Sequence, residues 1–183
     1  MPQDRAQRFE TFVTWYLRLN GYFTVPNFVV HAGDDQSRIR GDVVGNRTEL
    51  DTLAIRLPYS REKSGTQFPM HDALIHGPPG KFDVVFAEVK SGNSKSPNKS
   101  WQREERVSDI AYMLRFLGWH KDETKIQEAA RKLQHNFSFE EAHLRMRYII
   151  FSETVDRTWS GRGVQYITFD ECILFLAEER GQC

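Results

Sequence analysis

The segment Phe82-Asp83-Val84-Val85-Phe86-Ala87-Glu88-Val89-Lys90 constrains this chain more than any other. In an extended strand successive side chains point to opposite faces, so Val85, Ala87 and Val89 share one face and Val84, Phe86, Glu88 and Lys90 the other. Both faces begin apolar, which predicts a strand in the middle of a sheet, covered from both sides. Yet one face ends in a carboxylate and an ammonium two residues apart. Ionised groups avoid the edge of a core unless they are paired or hold a metal ion, so this strand end is the first candidate site.

A second strand signal, over 49–55, repeats the pattern. Asp51 shares a face with Leu53 and Ile55, and Glu49 stands two residues before it. If the two strands are neighbours, Asp51 and Glu88 converge. Oxygen-only ligands of this kind suit a hard divalent cation such as Mg²⁺ or Mn²⁺. Lys90, beside Glu88, would then position or help deprotonate an attacking water and stabilise charge developing on a phosphate.

The rest of the chain supplies a frame for such a sheet. Phe9, Phe12, Val13, Tyr16 and Leu17 repeat at helical spacing, predicting a helix over 5–20 that Asn20-Gly21 stops. A strand is expected over 22–30, with Pro26 assigning it an edge or a bulge. Helices are predicted over 107–117, ended by Gly118, and over 123–135. Short strands follow over 147–152 and 164–169, then a last helix over 170–180 with Asp170 as its N-cap. The alternation predicts an α/β fold, with a mixed sheet of four or five strands and helices on both sides.

A length of 183 residues suits one domain covering 1–183, with a polar Pro/Gly-containing loop inserted at about 58–81. Basic and acidic residues balance at 25 each, so attraction to a polyanion would have to come from local charge rather than the whole-molecule field. The two cysteines, Cys172 and Cys183, are too few for a disulfide framework. Nothing resembles a signal peptide, and no apolar run reaches the ~18 residues of a spanning helix. A cytoplasmic protein with no membrane partner is therefore expected.

Glu49-Leu50-Asp51-Thr52-Leu53 followed by Ala87-Glu88-Val89-Lys90-Ser91-Gly92 resembles the PD-(D/E)xK nuclease superfamily, in particular its Mrr-like, RecB-like and Holliday-junction-resolvase-like members. That pattern sets an acid at the start of one strand and Glu/Asp-x-Lys on the next. The first helix, with Arg8-Phe9-Glu10 and then Leu19-Asn20-Gly21-Tyr22, is similar to the superfamily's glutamate-bearing helix. The resemblance implies a restriction-endonuclease-like three-layer fold. It also implies hydrolysis of DNA phosphodiesters, with RNA the alternative substrate, by metal-activated water. Asp51, Glu88 and Lys90 would be catalytic, and Glu10 would reach a metal held by Asp51 and Glu88. Many members work as dimers, so a homodimer is among the assemblies it implies, though no stretch identifies an interface. The missing proline of the family name and the long separation of Asp51 from Glu88 are departures.

Beside that strand, Lys95, Lys99, Gln102 and Arg103 surround Trp101 and are expected to contact the nucleic-acid backbone. Arg61, Lys63 and Lys81 in the 58–81 loop suit phosphate as well, while His71, Asp72 and His76 lack the spacing of a zinc site. Two other readings compete: a nuclease fold that binds nucleic acid without cutting, and a protein-interaction module whose charged strand ends are merely salt-bridged.

Overall fold

The computed structural model describes residues 2–31, 46–60, 71, 74, 80–93 and 95–180, without the side chains of 2–4, 30–31, 46–48 and 179–180. Its elements are α1 (Pro2–Leu19), β1 (Phe23–His31), β2 (Asn46–Arg56), β3 (Phe82–Lys90), α2 (Lys99–Gln102), a 3₁₀ turn (Glu104–Arg106), α3 (Val107–Phe116), α4 (Glu123–Asn136), β4 (Ser138–Glu140), β5 (Leu144–Ser152), α5 (Arg157–Ser160), β6 (Gln165–Thr168) and α6 (Phe169–Arg180). Arg61, Lys63, Asp72, His76 and Cys183 lie outside the described residues, as does most of the 58–81 loop. Among the described residues no helix is long and apolar enough to cross a membrane.

The fold is α/β, and its sheet has six strands rather than four or five. The order is β1-β2-β3-β5-β4, with β6 also pairing with β5. β1 and β3 run antiparallel to β2, and β5 runs parallel to β3 along its whole length. The other edge of β5 is shared. Residues 145–147 pair with β4 and residues 149–152 with β6. β4 escapes the sequence pattern because it is three residues long, too short for an alternation to register.

Alternation along β3 and β5 splits the core into two layers. Val84, Phe86, Met146, Tyr148 and Ile150 join α3 and α4 residues such as Ile110, Leu114, Ile126 and Leu133. Val85, Ala87, Ile149 and Phe151 face Val13, Tyr16 and Leu17 of α1 and Phe169, Cys172 and Phe175 of α6. Helices thus cover both faces, and β3, paired on both sides, is central as its double apolar pattern demands. Pro26 sits in β1, the edge strand among the described residues, where a missing N–H is tolerated.

Helix ends follow local chemistry. Asp122 caps α4 by accepting from Thr124 N at 2.9 Å. The last helix begins one residue earlier than expected, and its cap is Thr168 rather than Asp170. Thr168 Oγ1 accepts from Glu171 N at 3.2 Å while Glu171 Oε2 accepts from Thr168 N at 2.6 Å, a reciprocal capping box. After α3, Gly118 adopts φ +64°, the left-handed conformation that ends a helix, and a Cβ added there would meet no atom within 4 Å. Gly118→Ala therefore meets only backbone strain, and should lower stability by about 1 kcal/mol in a denaturant titration. An unchanged midpoint would show that the turn is not held in this conformation.

Candidate active site

The β2–β3 register runs from Arg56↔Asp83 to Thr52↔Ala87 and ends there, leaving Asp51 and Glu88 just beyond the last pair. Just here β2 loses its regular pleat, because Leu50 and Leu53, three residues apart, lie in the same core layer. Beside it in β1, Asn27 takes φ +51° between the Pro26↔Thr52 and Phe28↔Leu50 pairs. The irregularity turns the Asp51 carboxylate toward the neighbouring strand, where Oδ2 accepts from Val89 N at 2.5 Å. Thr14 of α1 and Thr52 join hydroxyls at 3.0 Å, tying the first helix to β2 at this level.

Glu88 is buried and fully engaged. Lys90 Nζ pairs with its Oε1, the Tyr148 hydroxyl donates to Oε2, and Asn98 N donates to Oε2 at 3.2 Å. Asn98 also caps α2, accepting from Ser100 N at 3.1 Å. One turn of helix is thereby fixed over the strand end. Glu49, Asp51, Glu88, Asn98, Lys99, Ser100 and Arg106 line a cleft of about 340 Å³.

The electrostatics are those of carboxylates held together out of water. Burial pushes the Glu88 carboxyl above its usual range and Asp51 adds to the rise, against the pull of Lys90 and the Asn98 N–H. Asp51 is raised first by burial and also by Glu49, with the Val89 N–H and Lys90 opposing. Glu10 is raised by its own partial burial and then by Asp51 and Glu49. It feels Asp51 and Glu49 while making no hydrogen bond or ion pair among the described residues.

Asp51, Glu88 and Lys90 thus stand together, with Glu10 at their margin. Among the described residues, however, no three acidic, histidine or cysteine side chains gather closely enough to enclose a metal ion by themselves. Mg²⁺ does not require such a cage, since it is commonly held by one or two carboxylates and completes its shell with water and substrate phosphate. Asp51 and Glu88 offer oxygen donors only, the donor type a hard divalent cation takes, and each carboxyl is raised first by burial and then by a neighbouring acid.

The four residues expected to meet nucleic acid have different positions. Lys99 lines the cleft and is exposed. Lys95 turns inward, donating to Lys90 O at 3.3 Å and lying 3.8 Å from Glu153 Oε2. Gln102 donates to Pro97 O and lines a separate pocket. Arg103 is exposed and lines neither. In the loop, Lys81 pairs with Glu140 at 2.5 Å, and His71 meets Tyr16 and stacks on Phe175, 4.9 Å between ring centres. Tyr148 and Asn98, which hold Glu88, escaped the sequence reading. A parallel β3–β5 pairing and a four-residue helix leave no local pattern to find them by.

A second charged cluster lies at the opposite end of β3. Asp83 accepts from Arg145 at 2.8 and 3.0 Å, from Arg147 at 2.7 and 3.3 Å, from Arg56 at 3.4 Å and from Tyr22 Oη at 2.5 Å. Leu74 O accepts from all three arginines. Compared with protein-family models, curated protein sequences and solved structures, the chain matches none.

Proposed function

We propose that this protein is a metal-dependent nuclease with a restriction-endonuclease-like fold, hydrolysing phosphodiester bonds of DNA. The observation that carries the reading is the meeting of Asp51, Glu88 and Lys90 at the ends of two paired strands, where Asp51 and Glu88 line an open cleft. Acidic side chains raised by burial and then by a neighbouring acid are what a divalent cation would relieve. Bound there, Mg²⁺ or Mn²⁺ would acidify a water and neutralise phosphate oxygens.

The chain's own groups supply the rest. Asp51 is oriented by the Val89 N–H, and Glu88 by Tyr148 and Asn98, so both carboxylates are fixed before substrate arrives. Lys90 is held at Glu88, where an ammonium can orient a water and balance charge on a phosphate. Lys99 on the cleft rim suits a backbone phosphate. Glu10 would act at longer range, through Asp51 and Glu49.

The test is cleavage of plasmid, linear, branched and single-stranded DNA, with RNA alongside, in Mg²⁺ or Mn²⁺. Wild type should cut and Lys90→Ala should be slower by roughly 10²-fold or more, since a positioned proton-transfer group contributes about that much. Cutting that survives the substitution unchanged would remove Lys90 from the reaction and assign the activity elsewhere.

A further inference from the structure

The sheet face that carries α3 and α4 is open at one corner among the described residues. Leu53, Val84 and Phe86 are buried in the layer beneath those helices, with Ile55 half-buried beside them. β1 sets Phe23 opposite Ile55 and Val25 opposite Leu53, and side chains opposed in an antiparallel pair stand on the same side of the sheet. Alternation along β3 adds Phe82 to the side of Val84 and Phe86. Yet Phe23 is 65% exposed, Val25 49% and Phe82 43%. Further along β1, Phe116 at the end of α3 lies edge-on to Phe28, 5.4 Å between ring centres, and is itself 68% exposed.

The extent of this surface decides what it can hold. A large aromatic side chain buries about 150–250 Å² when enclosed, so three phenylalanines at these exposures, with Val25 and Ile55 between them, leave on the order of 400 Å² of apolar surface uncovered on one chain. A contiguous patch of that size marks an interaction surface, whereas single exposed apolar residues do not. Doubled by a second copy and completed by a polar rim, at an apolar share of roughly two-thirds, it comes to about 1,200 Å² in total. A specific interface needs about 1,000 Å².

The charges around the patch select the partner. Its five side chains carry none, and those beside it are paired within the chain. Lys81, which precedes Phe82, meets Glu140 at 2.5 Å, and Arg115, which precedes Phe116, donates to Glu123 Oε2 at 2.8 Å. Such a surface holds out no unmatched charge to a polyanion or a charged peptide, while an identical surface meets it without repulsion. The edge of β1 is a poorer docking place than its face. Pro26 has no N–H to offer a further strand, and Asn27, at φ +51°, breaks the extended run.

We propose that this corner is the contact between two copies of the chain, packed face to face about a two-fold axis so that the same residues meet from both sides. The contact lies at the Arg56↔Asp83 end of the β2–β3 register, and Asp51 and Glu88 lie beyond the other end, so pairing here leaves both clefts uncovered. The inference is independent of the nuclease reading.

The experiment is sedimentation equilibrium of the full chain, without metal or DNA, from on the order of 1 μM to several hundred micromolar, where an interface of this size separates. Wild type should show a reversible monomer–dimer equilibrium. Phe23→Ser and Phe116→Ser should each weaken it roughly tenfold or more, as the loss of an aromatic from the centre of an interface does. Both positions are exposed in the single chain, so the variants should fold; should one fail, the other carries the test, with circular dichroism as the check. Leu174→Ser, which removes a 58% exposed apolar residue from α6, should leave the equilibrium unchanged.

A protein that stays monomeric throughout the range would overturn the contact and assign the patch to another segment of this chain or to a different partner. A dimer indifferent to both phenylalanine substitutions, or one dissociated by Leu174→Ser instead, would place the interface elsewhere and overturn it as well. A dimer that responds as expected in a protein that cuts no DNA would support the contact and defeat the nuclease reading alone.

Discussion

Asp83→Asn is expected to lower the stability of the protein by about 3–5 kcal/mol, the usual result of removing one partner from a buried ion cluster. Arg56, Arg145 and Arg147 all reach Asp83, and their side chains are only 10, 9 and 7% exposed. The substitution leaves guanidiniums out of water without the carboxylate they share. Leu74 O remains as a neutral acceptor, but it cannot replace a charge. Against a total stability of roughly 5–15 kcal/mol for a domain, the loss should be plain in the denaturant midpoint. A variant within about 1 kcal/mol of wild type would show that the arginines find another anion.

The same cluster has a pH signature. Burial pushes the Asp83 carboxyl up, but Arg147 and Arg145 together hold it below its ordinary range. A lowered folded-state value contributes stability that is present above the unfolded value, about 4, and lost as pH falls through the folded one. Wild type should therefore lose stability steeply in acid, and Asp83→Asn should lack that component.

What the sequence disclosed of this site follows from the range of each interaction. Glu88 and Lys90 were legible because a two-residue period places them together whatever the fold. Asp51 was legible because its strand carried the same anomaly. Tyr148 was not, since its approach to Glu88 depends on parallel pairing between segments 60 residues apart. Asp83 read as an ordinary strand residue, because its arginines come from β2 and β5. Lys95 read as a phosphate contact from composition alone, whereas Glu153 in the loop after β5 draws it inward. The cap of the last helix was missed for a different reason: Thr168-Phe169-Asp170-Glu171 carries the capping-box spacing in plain view, and Asp170 is simply the more familiar cap residue.

Asp51→Asn should separate function from stability in opposite directions. The asparagine keeps a side-chain oxygen able to accept from Val89 N, so the local backbone contact survives. It removes a carboxylate that burial and Glu49 hold above its usual range and that in turn raises Glu88 and Glu10. A raised folded-state value contributes stability fully present below about pH 4 and lost as pH rises through it, so wild type carries this deficit at neutral pH. The variant should match wild type near pH 4 and be more stable at pH 7, by roughly 0.5–2 kcal/mol, the usual gain when a functional strain is relieved. Cleavage should fall by about 10³-fold or more, because one of two candidate metal ligands and its charge are gone. A variant that is less stable at pH 7 would mean Lys90 needs Asp51 more than Asp51 resents its neighbours. One that still cuts within tenfold of wild type would remove Asp51 from the centre of the site.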